Sequence, residues 1–444
     1  MTERERIMGK INRQALFVEE SEGFRIPLEP KAGDRVKLRF RTAKDNVESV
    51  YFISGKERNP MTKVCSAGRF DYYEIETKVG TDTIYYYFEI RSNEERLFYN
   101  KLSVTDNLQD CYAFRIIPGF TTPDWAKGAV MYQIYVDRFC NGDSTNDVLT
   151  GEYSYIHKQV EQVKDWSAPP EGMDVRRFYG GDLQGILDKL DYLQDLGVEV
   201  IYMNPIFVSP SNHKYDCQDY DYIDPHYTVI KEDGGDLLPP GELDNTKATK
   251  YIKRVVSKEN LEASNEFFIH FVEEVHKRGI RVLLDGVFNH CGSFNKWLDR
   301  ECIYEGDGDY EKGAYVSEDS PYRNFFKFNN THEWPYNPYY DGWWGHDTLP
   351  KLSYETSQEL YDYIMGIARK WVSPPYNVDG WRLDVAADLG LSADFNHKFW
   401  QDFRKNVKEA NPNAVIYAEH YGDATSWLKG GEWDSIMNYD TFME

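Results

Sequence analysis

The sequence predicts a multidomain protein: an N-terminal β-sandwich followed by a TIM (β/α)8-type barrel, here incomplete at about six strands, with a small domain protruding after strand three. Three observations predict it. Up to about residue 118, apolar residues alternate in short runs separated by turn signals, as in strands with one buried face. Beyond that point strands alternate with helices, which implies a parallel sheet. The later strands then end in polar clusters, the place where a barrel rather than an open sheet gathers its chemistry.

Taken in order, residues 1–118 contain strand-like runs at 36–40, 49–53, 73–77, 84–90 and 112–116 and no useful helical period. Residues 119–128 read as a linker that begins with Pro-Gly and Pro turn signals. The barrel region is 129–444. Its first strand is 129–136, and Ile186, Leu187, Leu190, Leu193 and Leu196 mark one helix ended by Gly197. Strand two is 198–203. A helix carrying Phe267, Phe268, Phe271, Val272 and Val275, with Ser264 as N-cap and Gly279 past its end, leads to strand three at 280–285. A helix around 360–371 leads to strand four at 376–384, and 414–419 and 435–439 supply strands five and six. The polar stretch 228–262 reads as a loop insertion, and the Trp- and Tyr-rich stretch 291–352 as the protruding small domain. Glu444 comes soon after strand six, so the expectation is a truncated chain lacking strands seven and eight.

Lys+Arg number 51 and Asp+Glu 74, and the resulting charge of -23 repels phosphate backbones and anionic headgroups. Neither nucleic acid nor membrane is expected as a partner; a neutral ligand is. Aromatic residues make up 16% of the chain, with Tyr 34 and Trp 11, and such rings stack well on the apolar faces of sugars. The opening MTERERIMGKINRQALF lacks the apolar core of a secretory leader, so a cytoplasmic location is expected. Cys65, Cys111, Cys140, Cys217, Cys291 and Cys302 show no CxxC pair and read as free thiols.

The polar strand ends are Asp285 to His290, Arg382 to Asp384, and Glu419 with His420. Charged groups there are costly to bury unless they pair or work. Arg382 lies two residues before Asp384 on the same strand face and is expected to keep that carboxylate ionised, as a nucleophile requires. Glu419 has no cation at i−2, so a raised pKa and a general-acid role are expected. Two carboxyls on adjacent strands fit a retaining mechanism, with a separation of about 5–5.5 Å.

DGVFNH at 285–290, GWRLDVAAD at 380–388 and the AEH around Glu419 resemble three signature segments of glycoside hydrolase family 13, the α-amylase superfamily. GVEVIYMNPIF at 197–207 and LPKLS at 349–353 are similar to segments of its neopullulanase, cyclomaltodextrinase and maltogenic amylase branch. The likeness runs from about residue 120 onward. By position and strand pattern the N-terminal region resembles a starch-binding module of family 34. The resemblance implies a retaining hydrolase of α-1,4 and also α-1,6 glucosidic bonds in maltodextrins, cyclodextrins or pullulan. It places the nucleophile at Asp384, the acid/base at Glu419 and their supporting cation at Arg382. It puts substrate contacts at His213, Tyr215, Asp285, Asn289, His290 and His420. It further implies a structural calcium held by Asn141, Asp143, Asn146, Asp147, Gly180 and Asp182; hard oxygen donors suit that ion. α-Glucans are the implied partners, with a homodimer or a missing C-terminal fragment besides.

Two departures leave specificity and the balance of hydrolysis with transglycosylation open. Asp388 stands where relatives usually have Glu, and His420-Tyr421 replaces an aliphatic-Trp pair. The family's third carboxylate, on strand seven, has no counterpart, so the alternative is a carbohydrate-binding or catalytically inert fragment.

Overall fold

A computed structural model describes residues 10–92, 95–172, 174–306 and 308–439. The first part of the stretch read for a leader, and the terminal Glu444, lie outside the described residues. The chain divides into two compact units, one ending at Thr121 and the other beginning at Thr122. No helix among the described residues is long and apolar enough to cross a membrane.

In the first unit, Arg35–Ala43 buries every second residue, which is the consequence of period-two alternation. It pairs antiparallel with Phe70–Lys78, and that sheet is completed by Arg25–Ile26 and Thr62–Ala67. A second antiparallel sheet holds Glu57–Pro60, Ser49–Ser54, Ile84–Ser92, Glu95–Asn100 and Ser103–Thr105, with Phe114–Ile116 paired to Ile84–Ser92. The inward faces meet in Val36, Leu38, Phe40, Val50, Phe52, Tyr86, Phe88 and Ile90, and the Phe40 and Phe88 rings lie 4.8 Å apart. Each such side chain contributes roughly 1.5–3 kcal/mol on leaving water. The strands at 57–60, 62–67, 95–100 and 103–105 escape the sequence reading because they are short, polar and exposed on at least one face.

The second unit is built on six parallel strands hydrogen-bonded in chain order: β1 (Met131–Ile134), β2 (Val200–Met203), β3 (Arg281–Gly286), β4 (Gly380–Leu383), β5 (Val415–Ala418) and β6 (Ser435–Ile436). Sequential parallel order with helices between strands is the barrel pattern; here helices separate the first five strands, and the partial sheet has β1 and β6 at its edges among the described residues. β2 and β4 are buried throughout, so neither shows alternation; β2 reads as a continuous apolar run, and β4 is apolar except for Arg382. The register sets Asp285 beside Arg382, so both side chains leave the same face at the same height.

Three expectations about the connections are corrected. The single helix over 186–196 is two short ones, α1 (Leu183–Asp188) and α2 (Leu190–Asp195), broken at Lys189, although Ile186, Leu190 and Leu193 are buried as their spacing required. Residues 228–262 are a loop only as far as 244. They contain a 3-10 turn (Asn245–Lys247), helix α3 (Thr249–Val256) and the first residues of α4 (Lys258–Lys277). Their Tyr251, Val255, Val256 and Leu261 pack with Tyr153, Tyr155, Phe178 and Phe294, a thin apolar stripe that the surrounding charges mask in sequence. Ser264 is therefore not an N-cap: it lies inside α4, and its hydroxyl donates to the Ile223 carbonyl at 2.6 Å. Helices α5 (Gln358–Val372) and α6 (Ala393–Ala410) follow expectation more closely, each capped by a serine, Ser357 and Ser392. The stretch 291–352 carries only 3-10 turns and isolated bridges among its described residues, and its Phe294, Trp297, Leu298, Phe325 and Phe326 reach the cores below.

Candidate active site

Arg382 leaves β4 nearly fully buried, 4% exposed, and its guanidinium serves three carboxylates. Nη1 donates to Asp285 at 3.0 and 2.9 Å and to Asp384 Oδ1 at 2.9 Å; Nη2 lies 2.9 Å from Glu419 Oε2. Asp285 ends β3, while Asp384 and Glu419 stand one residue past β4 and β5. One cation thus ties together acidic groups from three adjacent strand ends. The rest of the Asp285 and Glu419 carboxylates is also occupied. Tyr202 on β2 and Tyr215 donate to Asp285 Oδ2 at 2.5 and 3.0 Å. Glu419 Oε1 accepts from Tyr421 and Tyr439 at 2.9 and 3.2 Å, and Oε2 accepts the Val385 amide at 3.0 Å. To present that amide Val385 adopts φ 37, a left-handed conformation that a β-branched residue takes only under strong constraint.

The electrostatics correct both expectations, that Arg382 keeps Asp384 ionised and that the Glu419 carboxyl is raised: the directions are the reverse. Burial pushes Asp384 well above the usual carboxylate range, Asp285 and Glu419 beside it push the same way, and Arg382 opposes them. For Glu419 burial also acts upward, but Arg382, the Val385 amide and the Tyr421 hydroxyl outweigh it and hold the carboxyl below its ordinary value. The guanidinium has two arms and reaches the neighbouring strand, which spacing along one strand does not reveal. Asp384 and Glu419 interact directly, so the proton between them belongs to the pair.

This has a stability consequence. A carboxyl with a raised folded-state pKa contributes most below its unfolded value, near 3.8, and that contribution is lost as pH rises. Asn does not titrate. Asp384→Asn is expected to be more stable than the wild type at pH 7, by about 1 kcal/mol or more, with the difference shrinking towards pH 4. Urea unfolding across that range measures it, and an unchanged or lower stability at pH 7 would contradict it.

The other residues expected around this centre are brought together with it. His290 is neutral, pushed down to about 3 by burial; its Nε2 faces the Tyr215 carbonyl at 3.1 Å and its Nδ1 the Asn289 amide at 3.1 Å. His213 stacks on Tyr215 with centroids 5.9 Å apart. Trp343 stacks on His290 at 5.0 Å, and Trp344 stacks on Trp343 at 5.0 Å while remaining 81% exposed. A cleft of about 420 Å³ opens here between Trp343, Trp344, Asp388, Glu419, His420 and Tyr421. The Trp343 indole donates to Asp388 at 3.2 Å. Tyr202 and Tyr439 were missed by the sequence reading. Their signal was a buried or half-buried tyrosine on a strand, as Tyr202, or just past one, as Tyr439, whose hydroxyl needs a partner.

The residues expected to hold calcium also gather in one place. Asn141 donates to Asp147 Oδ1 at 2.8 Å, and Asp182 accepts from the Gly142, Asp143 and Gly185 amides and from Asn146 Nδ2. A Cβ at Gly180 would fall 2.4 Å from Asp147 Oδ1. Asp143 departs from expectation: its Oδ1 turns to the Thr145 amide and hydroxyl, and only its backbone faces Asp182.

Comparison with known proteins agrees with this architecture. Residues 28–116 match the family described as the α-amylase N-terminal Ig-like domain, and residues 133–236 and 263–444 match the α-amylase catalytic domain. The gap between the two matched segments falls within the insertion. The chain is 32% identical to a cyclomaltodextrinase of Thermoanaerobacter pseudethanolicus, over 96% of this chain and 65% of that protein. It is 33% identical to neopullulanase 2 of Thermoactinomyces vulgaris, over 94% and 60%. The solved type III pullulan hydrolase from Thermococcus kodakarensis superposes with a TM-score of 0.60 at 28% identity, covering 95% of this chain and 64% of that one. The chain therefore spans somewhat under two thirds of the length of these relatives. With an Ig-like unit, six parallel strands in order and the family's catalytic-domain match over most of the second unit, this chain belongs to the α-amylase family.

Proposed function

We propose that this protein is a retaining hydrolase of α-1,4 and α-1,6 glucosidic bonds in maltodextrins, cyclodextrins or pullulan, with Asp384 as nucleophile and Glu419 as acid/base. The observation that carries the reading is the single Arg382 guanidinium joining Asp285, Asp384 and Glu419, the last of which also lines an aromatic-walled cleft. The pair of carboxyls holds one proton between them. A glycosidic oxygen entering beside Glu419 needs a donor there, so the proton moves to Glu419 and leaves Asp384 ionised against Arg382. Asp384 then attacks the anomeric carbon, and Glu419 returns to deprotonate the water that releases the sugar. Asp285, His290 and Tyr215 hold the ring, with His213, Asn289 and His420 around it, while the exposed indole of Trp344 offers a stacking face. The test is the product profile on pullulan, β-cyclodextrin and soluble starch, with the anomer of the first product followed by NMR. Release of α-anomers supports the reading; β-anomers overturn retention, and binding of these glucans without turnover overturns hydrolysis.

The same reading includes a structural calcium ion, supported by chemistry at the loop. Asn146 Oδ1 is buried without a hydrogen-bond partner, and burial, with Asp182 and Asp143 nearby, raises the Asp147 carboxyl. Asn141, Asn146, Asp147 and the Gly180 carbonyl would supply hard oxygens, while Asp182, whose two oxygens already accept four hydrogen bonds, holds the loop in place; the ion would neutralise Asp147 and lock the loop. Chelation is expected to lower the melting temperature by several degrees, since an ion at about 100 times its Kd adds roughly 2.7 kcal/mol, and added calcium should restore it. An unmoved transition removes calcium from the reading. A cytoplasmic location is also part of the proposal, supported by six unpaired thiols.

A further inference from the structure

A buried chain of charges runs from the loop beside the cleft into the insertion. Lys214 lies between His213 and Tyr215 at φ 58, an uncommon conformation for a residue with a side chain. Its Nζ donates to Asp224 Oδ2 at 2.6 Å and to the Ser209 carbonyl at 3.0 Å, with the Tyr227 ring 4.6 Å away. Asp224 Oδ1 is 2.8 Å from His226 Nδ1, and His226 Nε2 is 2.7 Å from Glu152 Oε1. Glu152 Oε2 accepts from Arg254 Nη1 at 2.8 Å, and Arg254 donates twice to Asp233 at 2.9 Å. Along Lys214, Asp224, His226, Glu152, Arg254 and Asp233 the charges alternate and sum to zero. All but Asp233 are buried.

His226 is the link that decides the sign. A carboxylate only accepts, and a neutral imidazole has one donor, so two carboxylates on its two nitrogens require the imidazolium. Its ring face packs on Tyr251 of α3, with centroids 6.2 Å apart. Although burial works against the charged form, Glu152 and Asp224 outweigh it and raise the histidine above its ordinary value.

We propose that His226, as a protonated link in this chain, is a positioning residue for the Lys214–Tyr215 loop, through which α3 sets where the Tyr215 hydroxyl meets Asp285. The consequence for sugar binding rests on the glucan reading above; the mechanical coupling does not. Arg254 lies in the gap of the catalytic-domain match, so the coupling reaches into this chain's own insertion. Tyr215 connects the loop to the centre twice, through its hydroxyl on Asp285 and its carbonyl on His290.

The test uses the whole chain. Nitrogen-15 shifts of His226 at pH 8 are expected to show both ring nitrogens protonated. Hydrogen exchange of residues 211–217 is expected to speed up about tenfold in His226→Gln, because two buried carboxylates lose their shared donor. The Ig-like unit should be unchanged, as should the loop in Lys247→Ala, an exposed control on the same insertion. Should His226→Gln fail to fold, Arg254→Gln carries the same readout one link further along. Affinity for β-cyclodextrin is expected to fall by a similar factor in the variant. A neutral His226 at pH 8, or a variant loop as protected as the wild type's, overturns the proposal. A wild type that binds no β-cyclodextrin counts against the glucan reading alone, since the first two measurements need no sugar.

Discussion

Glu419→Gln is expected to lower kcat on maltodextrins about 10²–10⁴-fold, the range that positioned proton transfer contributes. Glutamine keeps the volume; its one carbonyl oxygen can still accept from the Val385 amide, and its NH2 group, in the place of Oε1, can donate to the Tyr421 hydroxyl oxygen, so the cleft should stay intact. What it loses is the proton that the leaving oxygen needs. The loss should therefore be largest for substrates with poor leaving groups and small for an activated aryl glucoside, whose departure needs little protonation. Added azide should restore turnover on the activated substrate with an α-glucosyl azide as product, because a nucleophile that needs no base can attack the β-linked covalent intermediate. Measuring both substrates with and without azide separates the roles. Equal losses on both without azide rescue would show that Glu419 is not the acid/base. Asp384→Asn, by contrast, should lose turnover on both substrates alike, since no intermediate forms.

Much of this centre was legible from the sequence because barrel chemistry concentrates at strand ends, and strand ends can be found from short apolar runs followed by Asp, Arg or Glu. Asp285, Arg382, Asp384 and Glu419 were reached in that way, and the structure gathers them on one cation. Their charge relations were not legible. Spacing within a strand shows that Arg382 can reach Asp384, but the contact with Glu419 depends on the register between strands β4 and β5, a long-range property. The insertion was misread for a related reason. In α3 the buried Tyr251, Val255 and Val256 are diluted by Lys250, Lys253 and Arg254, and Arg254 is itself buried by its pairing with Glu152 and Asp233, which no local pattern announces. Ser264 illustrates the limit of capping signals. A serine three residues before an apolar run looks like an N-cap, yet here a helix already in progress uses its hydroxyl to hold the Ile223 carbonyl.

Arg382→Ala is expected to be the most destabilising single change near the cleft, by about 3–5 kcal/mol at pH 7, as when one partner of a buried ion pair is removed. The cause is not the lost attraction alone. Asp285, Asp384 and Glu419 would remain buried and facing one another with no cation between them. They would respond by taking up protons, and that fixes the pH dependence. Without the guanidinium, Glu419 is no longer held below its ordinary value and Asp285 and Asp384, already raised by burial, rise further, so the variant recovers stability as pH falls towards the ordinary carboxylate range and loses it as pH rises. The deficit against the wild type should therefore be small near pH 4 and grow to its full size by about pH 7. Arg382→Lys should fall between the two, since one ammonium replaces the charge but not the two-armed reach from Asp384 to Glu419. Urea unfolding of the three proteins from pH 4 to pH 8, with the Ig-like unit as an internal reference, measures the effect. A deficit under about 1 kcal/mol at pH 7, or one that does not change with pH, would mean that water and not the guanidinium carries these carboxylates.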